Sequence, residues 1–263
     1  MKPELIEEEY TAIVTGFKSQ LCFISIPAKI EAEYQDRLKE DAKYHEHCIK
    51  EALNYKDDDT WLKRLRSEAA GAMESYLSRL SRGTESFPSR HIQNLKKALE
   101  NNHPQWRGKF NGILEKLGNG SIFILTGPRG TGKTQLAAAV GRYLAETKNQ
   151  ESSYTVLGEL FTRIKGTFKS DSPDSEESIV SSLSRSSLLV LDECHEITGT
   201  EWQGRILTLL IDSRYRERRD TIMITNQAQD AFLVSVGESI TDRIAECGYF
   251  IECDWPSFRR ARL

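Results

Sequence analysis

Residues 121–134, Ser-Ile-Phe-Ile-Leu-Thr-Gly-Pro-Arg-Gly-Thr-Gly-Lys-Thr, decide the fold of this chain. Ser121–Thr126 is rich in β-branched and aromatic residues, which predicts a short buried strand. The good helix formers of Thr134–Glu146 predict a helix that follows directly. The Gly-x-x-x-x-Gly-Lys-Thr pattern thus lies between a strand and a helix, which is the context that a phosphate-binding loop requires.

The chemistry of this loop predicts a site for a nucleoside triphosphate. Its glycines let the backbone turn tightly and point N–H groups at an anion, and the following helix N-terminus favours negative charge. Lys133 can reach the β- and γ-phosphates, and the Thr134 hydroxyl can ligate Mg²⁺. The residues expected to bind the nucleotide are Gly127, Pro128, Arg129, Gly130, Thr131, Gly132, Lys133, Thr134 and Gln135.

Composition places the chain among globular proteins. Its 263 residues are 38% hydrophobic and 29% charged, which leaves room for one α/β domain and a smaller appendage. No apolar stretch reaches the length of a membrane span, and the acidic N-terminus does not resemble a secretory signal. Five irregularly spaced cysteines favour a reducing cytoplasm, and a net charge of −3 argues against indiscriminate coating of nucleic acid.

The second half of the chain alternates predicted strands and helices, which is typical of a parallel sheet with helices on both faces. We expect a helical N-terminal region over 1–83, a connector over 84–118 and a nucleotide-binding domain without a sizeable C-terminal lid over 119–263. The predicted strands are Ser121–Thr126, Tyr154–Leu157, Leu188–Asp192, Thr221–Thr225 and Tyr249–Cys253. The predicted helices between them include Glu159–Lys169, Glu176–Ser184, Glu201–Arg216 and Ser239–Glu246.

Two acids end the third predicted strand. Asp192 is expected to hold the Mg²⁺ shell opposite the phosphate loop, and Glu193 to polarise the attacking water.

The sequence allows two roles for each of two later residues. Asn226 either orients the water or caps the next helix near Ala228. Arg243 either stabilises phosphoryl charge across a subunit boundary or forms an intrahelical or surface ion pair, for instance with Glu246. A nearby group of arginines is expected to complement the C-terminal dipole of the preceding helix, with contact to DNA or to another subunit as the alternative; they are Arg214, Arg216, Arg218 and Arg219.

Several segments together resemble the AAA+ ATPases of the DnaC/IstB group, which includes helicase loaders. The likeness covers about residues 86–259 and is strong at the phosphate loop and at Gly237-Glu-Ser-Ile-Thr-Asp-Arg243. Further matching pieces are Glu159–Lys169, Leu188–Glu193, Trp202–Arg214, Ile224–Asn226 and Asp254–Arg259. Asp192-Glu-Cys-His195 also matches some superfamily 2 RNA helicases, but that class needs a second RecA-like domain.

This resemblance implies a P-loop NTPase with an AAA+ RecA-like core that hydrolyses ATP with Mg²⁺. Lys133, Thr134, Asp192 and Glu193 would take the Walker roles. Asn226 would be the sensor-1 residue and Arg243 an arginine finger acting in trans within an ATP-dependent oligomer.

The resemblance also implies contact with single-stranded DNA by the segment between the second and third strands. Arg163, Lys165, Phe168 and Lys169 would form a cationic face with one stacking aromatic. The alternative is that Phe161, Ile164 and Phe168, at helical spacing, belong to the core.

We therefore expect a bacterial or phage ATP-dependent loader that delivers a DnaB-type replicative helicase. By this resemblance, the helical N-terminal region 1–83 would bind the partner protein. An IstB-type transposition ATPase that recruits a transposase to duplex DNA, and a nucleotide-gated adaptor without turnover, stay open as alternatives. His45, His47 and Cys48 suggest a zinc site, but they lack finger-type spacing to further ligands.

Overall fold

The computed structural model describes residues 83–93, 103–168, 173–197 and 200–258, all within one compact unit of the chain. The predicted helical region 1–83, except for Gly83, and the suggested zinc ligands His45, His47 and Cys48 lie outside the described residues. The boundary between the N-terminal region and the connector stays a prediction. Among the described helices, none is long and apolar enough to cross a membrane.

The described residues form a five-stranded parallel sheet in the order β2-β3-β4-β1-β5. The strands are β1 (Ile122–Thr126), β2 (Ser152–Val156), β3 (Leu188–Asp192), β4 (Asp220–Ile224) and β5 (Gly248–Glu252). All five predicted strands are present. Four are displaced from the predicted bounds by one or two residues, because the ladder partners, such as Ile122 with Thr221 and with Gly248, decide where pairing begins.

Helices connect the strands and cover the sheet. The connector holds α1 (Ser89–Gln93) and α2 (Pro104–Leu114). The helices that follow are α3 (Lys133–Lys148), α4 (Leu157–Gly166), α5 (Glu176–Arg185), α6 (Glu201–Arg216), α7 (Gln229–Val236) and α8 (Glu238–Cys247). The predicted helix Glu159–Lys169 is wrong at both ends, because Leu157 already belongs to α4, where it is fully buried, and α4 stops at Gly166.

Burial explains why the central strands read as continuous apolar runs. Every residue of β1, β3 and β4 is buried, because both faces of a parallel sheet are covered. Three consecutive alanines, Ala137–Ala139, are fully buried in α3, and their small side chains let that helix approach the sheet closely. Local caps fix other helix starts: the Ser175 side chain accepts from Ser178 at the first turn of α5.

The strand order positions the site. The connection from β1 leads through α3 to β2 at one edge, whereas the connection from β4 leads through α7 and α8 to β5 on the other side of β1. The chain thus reverses direction around β1, and ligands of open parallel sheets bind at the carboxyl ends of strands at such a point. The phosphate loop follows the carboxyl end of β1.

Candidate functional site: a phosphate loop and the acids of the third strand

The phosphate loop has the strand–loop–helix context that its motif predicts. It leaves β1 at Thr126 and enters α3 at Lys133. Gly127, Gly130 and Gly132 have φ angles of 122°, 88° and 84°, which residues with a side chain rarely adopt. The loop conformation therefore depends on these glycines.

Lys133 lies against the loop itself. Its ammonium donates to the carbonyl oxygens of Gly127 at 2.6 Å and Pro128 at 2.8 Å, and the residue is 6% exposed. The Thr131 hydroxyl also donates to Pro128, at 3.0 Å. A cation is thus held at the first turn of the loop, next to the N-terminus of α3. Both features favour a bound anion.

Asp192 connects the phosphate loop to two strands. Its Oδ2 atom accepts from the Thr134 hydroxyl at 2.8 Å and from the Tyr154 phenol at 2.8 Å, and its Oδ1 atom accepts from the Glu193 amide at 2.7 Å. Asp192 is 4% exposed. The structure therefore brings together Thr134 and Asp192, the two residues expected to hold Mg²⁺.

The donor set fits that ion. Mg²⁺ prefers hard oxygen ligands at about 2.0–2.1 Å in octahedral geometry, which places neighbouring ligand oxygens about 2.9 Å apart. The Thr134 and Asp192 oxygens are 2.8 Å apart. The two residues can thus bind the ion together, with the remaining positions left for phosphate oxygens and water.

Tyr154 is a site residue that the sequence did not reveal. Burial, followed by the charge of Asp192, raises the pKa of the Tyr154 phenol well above its usual value. The phenol therefore remains a donor to Asp192 at every physiological pH. No motif marks this tyrosine, which reaches the site because β2 pairs with β3.

Glu193 is connected to the phosphate loop through His195. Glu193 has a φ of 54°, and its Oε2 atom lies 3.1 Å from His195 Nδ1. His195 Nε2 lies 3.5 Å from the Arg129 guanidinium, which can only donate. The Nε2 atom is therefore the acceptor in this contact, whereas Nδ1 lies within ion-pair distance of the Glu193 carboxylate without making a hydrogen bond. His195 is the last residue of the Asp-Glu-Cys-His tetrad, so the sequence contained it without assigning it a role.

Asn226 follows the strand that separates β1 from β3. The Thr225 amide donates to the Leu125 carbonyl at 3.0 Å, which extends the ladder to the residue before Asn226. The capping interpretation of Asn226 is not observed, since the N-cap of α7 is Ala228 and has no side-chain cap. Asn226 thus follows the carboxyl end of β4, between the carboxyl ends of β1 and β3.

Gln135 faces the connector. Its amide nitrogen donates to the His91 carbonyl at 2.8 Å, and its amide oxygen lies 3.1 Å from His91 Nδ1. The residue after the phosphate loop therefore holds α1 in place. A role of Gln135 at the nucleotide stays a prediction.

Arg243 is paired, but not with the residue that helical spacing suggests. Its Nε lies 2.5 Å from Asp212 of α6, and its Nη1 donates to the Ser239 carbonyl at 2.5 Å. Glu246 instead accepts from Tyr215 at 2.5 Å. None of these partners of Arg243 belongs to the phosphate loop or to β3.

The end of α4 presents aromatic and cationic groups. Phe168 is 65% exposed, whereas Phe161 and Ile164 are buried, so the three residues divide between surface and core. Lys165 Nζ lies 5.4 Å from the centre of the Trp202 ring, which the Phe168 ring approaches edge-on at 6.1 Å.

Two further observations concern the groups predicted around this surface. The charge of Arg163 is paired with Asp174 at 2.7 Å. Lys169 lies outside the described residues. In the part of the chain that the structure describes, no three His, Cys, Asp or Glu side chains form a further metal-binding cluster.

Comparison with known proteins agrees with this architecture. The AAA domain family matches residues 119–251, half of the chain. The chain belongs to this family. Its predicted P-loop AAA+ fold is therefore confirmed, with a parallel sheet and helices on both faces.

The similar curated proteins include replicative helicase loaders. "Replicative helicase loader DnaC" of Escherichia coli strain K12 is 31% identical over 143 residues, or 54% of this chain and 58% of that protein. The protein of the same name from Buchnera aphidicola subsp. Acyrthosiphon pisum is 30% identical over 143 residues, with the same coverage. This AAA protein thus spans less than two thirds of these relatives.

A solved structure supports the fold alone. "Replication initiator DnaA bound to AMPPCP and single-stranded DNA" superposes with a TM-score of 0.50 at 17% identity. The match covers 59% of this chain and 47% of that one.

Proposed function

We propose that this AAA protein is a Mg²⁺-dependent ATPase that helps to load a DnaB-type replicative helicase. The observation that carries the ATPase is the 2.8 Å hydrogen bond from Thr134 to Asp192. It joins the phosphate loop to a buried acid 58 residues away, at the carboxyl ends of parallel strands. The 31% identity with the DnaC loader of E. coli supports the partner.

Each group of the site has a defined task in this proposal. The loop amides and Lys133 bind the phosphates. To do so, the Lys133 ammonium exchanges its hydrogen bonds with the carbonyl oxygens of Gly127 and Pro128 for hydrogen bonds with phosphate oxygens. Thr134 and Asp192 would hold Mg²⁺, which supplies positive charge against the phosphate oxygens.

The chemical step is the in-line attack of water on the γ-phosphorus. Glu193 polarises the water, and Asn226 orients it from the neighbouring strand. The bond from the γ-phosphorus to the bridging oxygen breaks, and ADP and phosphate leave. Most of the rate acceleration comes from positioning and from fixed positive charge.

Arg243 would act on the ATP of a neighbouring copy. Its side chain is 26% exposed and is held by Asp212 at the surface of α8 and α6. An arginine held in this way can exchange the carboxylate of Asp212 for a phosphate oxygen across a subunit boundary. The active oligomer would then share each ATP between two protomers.

Single-stranded DNA would bind at the end of α4. The exposed Phe168 ring offers a face for stacking, and Lys165 places an ammonium beside Trp202. Base stacking together with nearby positive charge is the usual chemistry of sequence-tolerant single-strand binding. Of the residues predicted from the sequence, Arg163 is the weakest candidate because Asp174 pairs its charge.

The ATPase is tested by turnover and nucleotide binding in the full chain, with and without single-stranded DNA. We expect Glu193→Gln and Arg243→Ala to abolish turnover while ATP still binds. Arg216→Ala is a matched control because Arg216 is an exposed arginine of α6. Unchanged turnover in Glu193→Gln would contradict the hydrolytic role of Glu193. A natural chain that binds ATP but does not turn it over would instead favour a nucleotide-gated adaptor.

The DNA and helicase roles need separate measurements. Phe168→Ala combined with Lys165→Ala should weaken single-strand binding and spare basal ATPase. Val234→Ala is the control because Val234 is an apolar residue that is 83% exposed on α7.

The helicase role is tested by binding to a partner. Capture of a purified DnaB-type helicase would support the loader. Strong preference for duplex DNA without helicase capture would instead support a transposition ATPase.

A further inference from the structure

A segment near the C-terminus donates hydrogen bonds to the phosphate loop. The indole Nε1 of Trp255 donates to the Thr131 carbonyl at 2.9 Å, although 124 residues separate the two. The backbone amide of Phe258 donates to the Gly130 carbonyl at 3.0 Å. Two consecutive peptide groups of the loop are therefore held by residues 253–258, here named the brace.

The brace also lies against the loop along its length. The Cys253 amide donates to the Thr126 carbonyl at 2.9 Å, where β1 ends. A Cβ atom on Gly127 would lie 2.3 Å from the Cys253 carbonyl oxygen, and one on Gly132 would lie 3.3 Å from the Phe258 ring. Two of the glycines thus leave the space that the brace fills.

These contacts fix the direction of the loop amides. In a planar trans peptide the C=O and N–H groups point in opposite directions. Because the brace holds the carbonyls of Gly130 and Thr131, the amides of Thr131 and Gly132 must point away from it, into the loop. Successive inward amides form the concave site that binds phosphate oxygens.

The donor itself is firmly placed. Trp255 is 3% exposed, so its indole does not exchange freely with water. The His103 ring packs against it with centroids 5.6 Å apart, and against Phe258 at 5.5 Å. His103 is the N-cap of α2. The aromatic residues of the brace are thus supported from the connector.

We propose that Trp255 is a positioning residue for the nucleotide, which it serves by holding the phosphate loop in its anion-binding conformation. None of the described hydrogen bonds joins Trp255 to the acids of β3, and its indole binds a loop carbonyl. It therefore acts on ATP affinity and not on the chemical step. This proposal rests on the proposed ATPase function, because the effect of the brace is measured as the affinity for ATP.

The test uses Trp255→Phe in the full chain with Mg²⁺ and ATP. Phenylalanine keeps an aromatic ring beside His103 but lacks the N–H donor. The loss of one neutral hydrogen bond, converted to affinity, raises the Kd for ATP about three- to tenfold. We expect kcat at saturating ATP to stay within about twofold, because the groups of the chemical step are unchanged.

Trp202→Phe is the matched control. Trp202 is half-buried and packs on Phe161 with ring centroids 5.7 Å apart, and its indole Nε1 makes no hydrogen bond within the described residues. It should keep the ATP affinity of the natural chain. Equal weakening in both tryptophan variants would indicate general loosening of the core and would overturn the proposal.

Other results also decide the matter. If the natural chain binds ATP and Trp255→Phe binds it equally well, the brace is wrong while the ATPase stands. If the natural chain does not bind ATP, both proposals fail.

A second variant is used if circular dichroism shows that Trp255→Phe does not fold. Phe258→Ala removes the half-buried ring beside Gly132. It should weaken ATP binding about two- to fivefold, and unchanged affinity would overturn the brace.

Discussion

We expect the replacement of Arg214 by methionine to lower the free energy of unfolding of the P-loop domain by about 3–5 kcal/mol. Arg214 lies on α6 and is 1% exposed. Its guanidinium donates to the carbonyl oxygens of Leu183 at 2.8 Å, Ser186 at 2.9 Å and Asp220 at 2.5 Å, and to the Thr221 hydroxyl at 3.0 Å. One side chain thus joins the end of α5 to the start of β4.

The magnitude follows from the groups that methionine would leave unpaired. Burial, followed by the charge of Arg219, lowers the pKa of Arg214 to about 9, so the group is still charged at pH 7. Methionine removes this buried charge, which recovers part of the desolvation cost. Five carbonyl oxygens lose a donor, however, and each buried acceptor that is left unsatisfied costs about 1–3 kcal/mol. The unpaired acceptors dominate.

The assay is urea unfolding at pH 7, followed by circular dichroism. Arg216→Met is the control because Arg216 is exposed on the same helix, and its change should stay within about 0.5 kcal/mol. A loss below about 1 kcal/mol in Arg214→Met would refute the reasoning. Equal losses in the two variants would refute it as well, since they would show that burial and hydrogen bonding do not distinguish the two arginines.

Three further predictions concern the site. Tyr154→Phe removes a donor from Asp192 and should raise the Mg²⁺ concentration that half-saturates ATP turnover about tenfold, as a Mg²⁺ titration would measure. Gly127→Ala should abolish ATP binding because its Cβ would lie 2.3 Å from Cys253, whereas Gly118→Ala, with a φ of 87° but open space, should preserve it in a calorimetric titration. Burial raises the pKa of Cys253 to about 11, so its alkylation at pH 8, followed by mass spectrometry, should be on the order of a hundredfold slower than that of a free thiol and should accelerate towards pH 11.

Much of the fold could be predicted from the sequence because its evidence is local. The bounds of β3 and α6 agree with the prediction, since an apolar run that ends in acids and a long amphipathic helix each mark both ends. The other strands are displaced by one or two residues, because pairing with neighbours decides which residue begins a ladder. Single-residue propensities do not contain that information.

The end of α4 shows where periodicity is insufficient. Phe161, Ile164 and Phe168 share a helical spacing, which left a core and a DNA-binding interpretation open. The helix stops at Gly166, so the first two residues stay in the core while Phe168 lies beyond the helix and is exposed. The choice depended on where the helix ends, and that is set by packing.

Ion pairs show the same limit. The sequence allowed an intrahelical or surface ion pair for Arg243 and offered Glu246 as an example, whereas the structure pairs Arg243 with Asp212 of a neighbouring helix. Likewise Arg214 was expected to complement its own helix, and instead it binds the last carbonyls of α5. Long side chains reach across to other elements, whose packing a single sequence does not specify.

The sequence by itself determined the phosphate loop and the acids of the third strand, because each is a contiguous motif whose strand and helix lie beside it. The tertiary structure decided which distant residues serve them. The order β2-β3-β4-β1-β5 sets Tyr154 beside Asp192, and pairing of β5 with β1 carries Trp255 to Thr131. These contacts span 38 and 124 residues. They depend on which strands become neighbours, which is a property of the whole packed sheet.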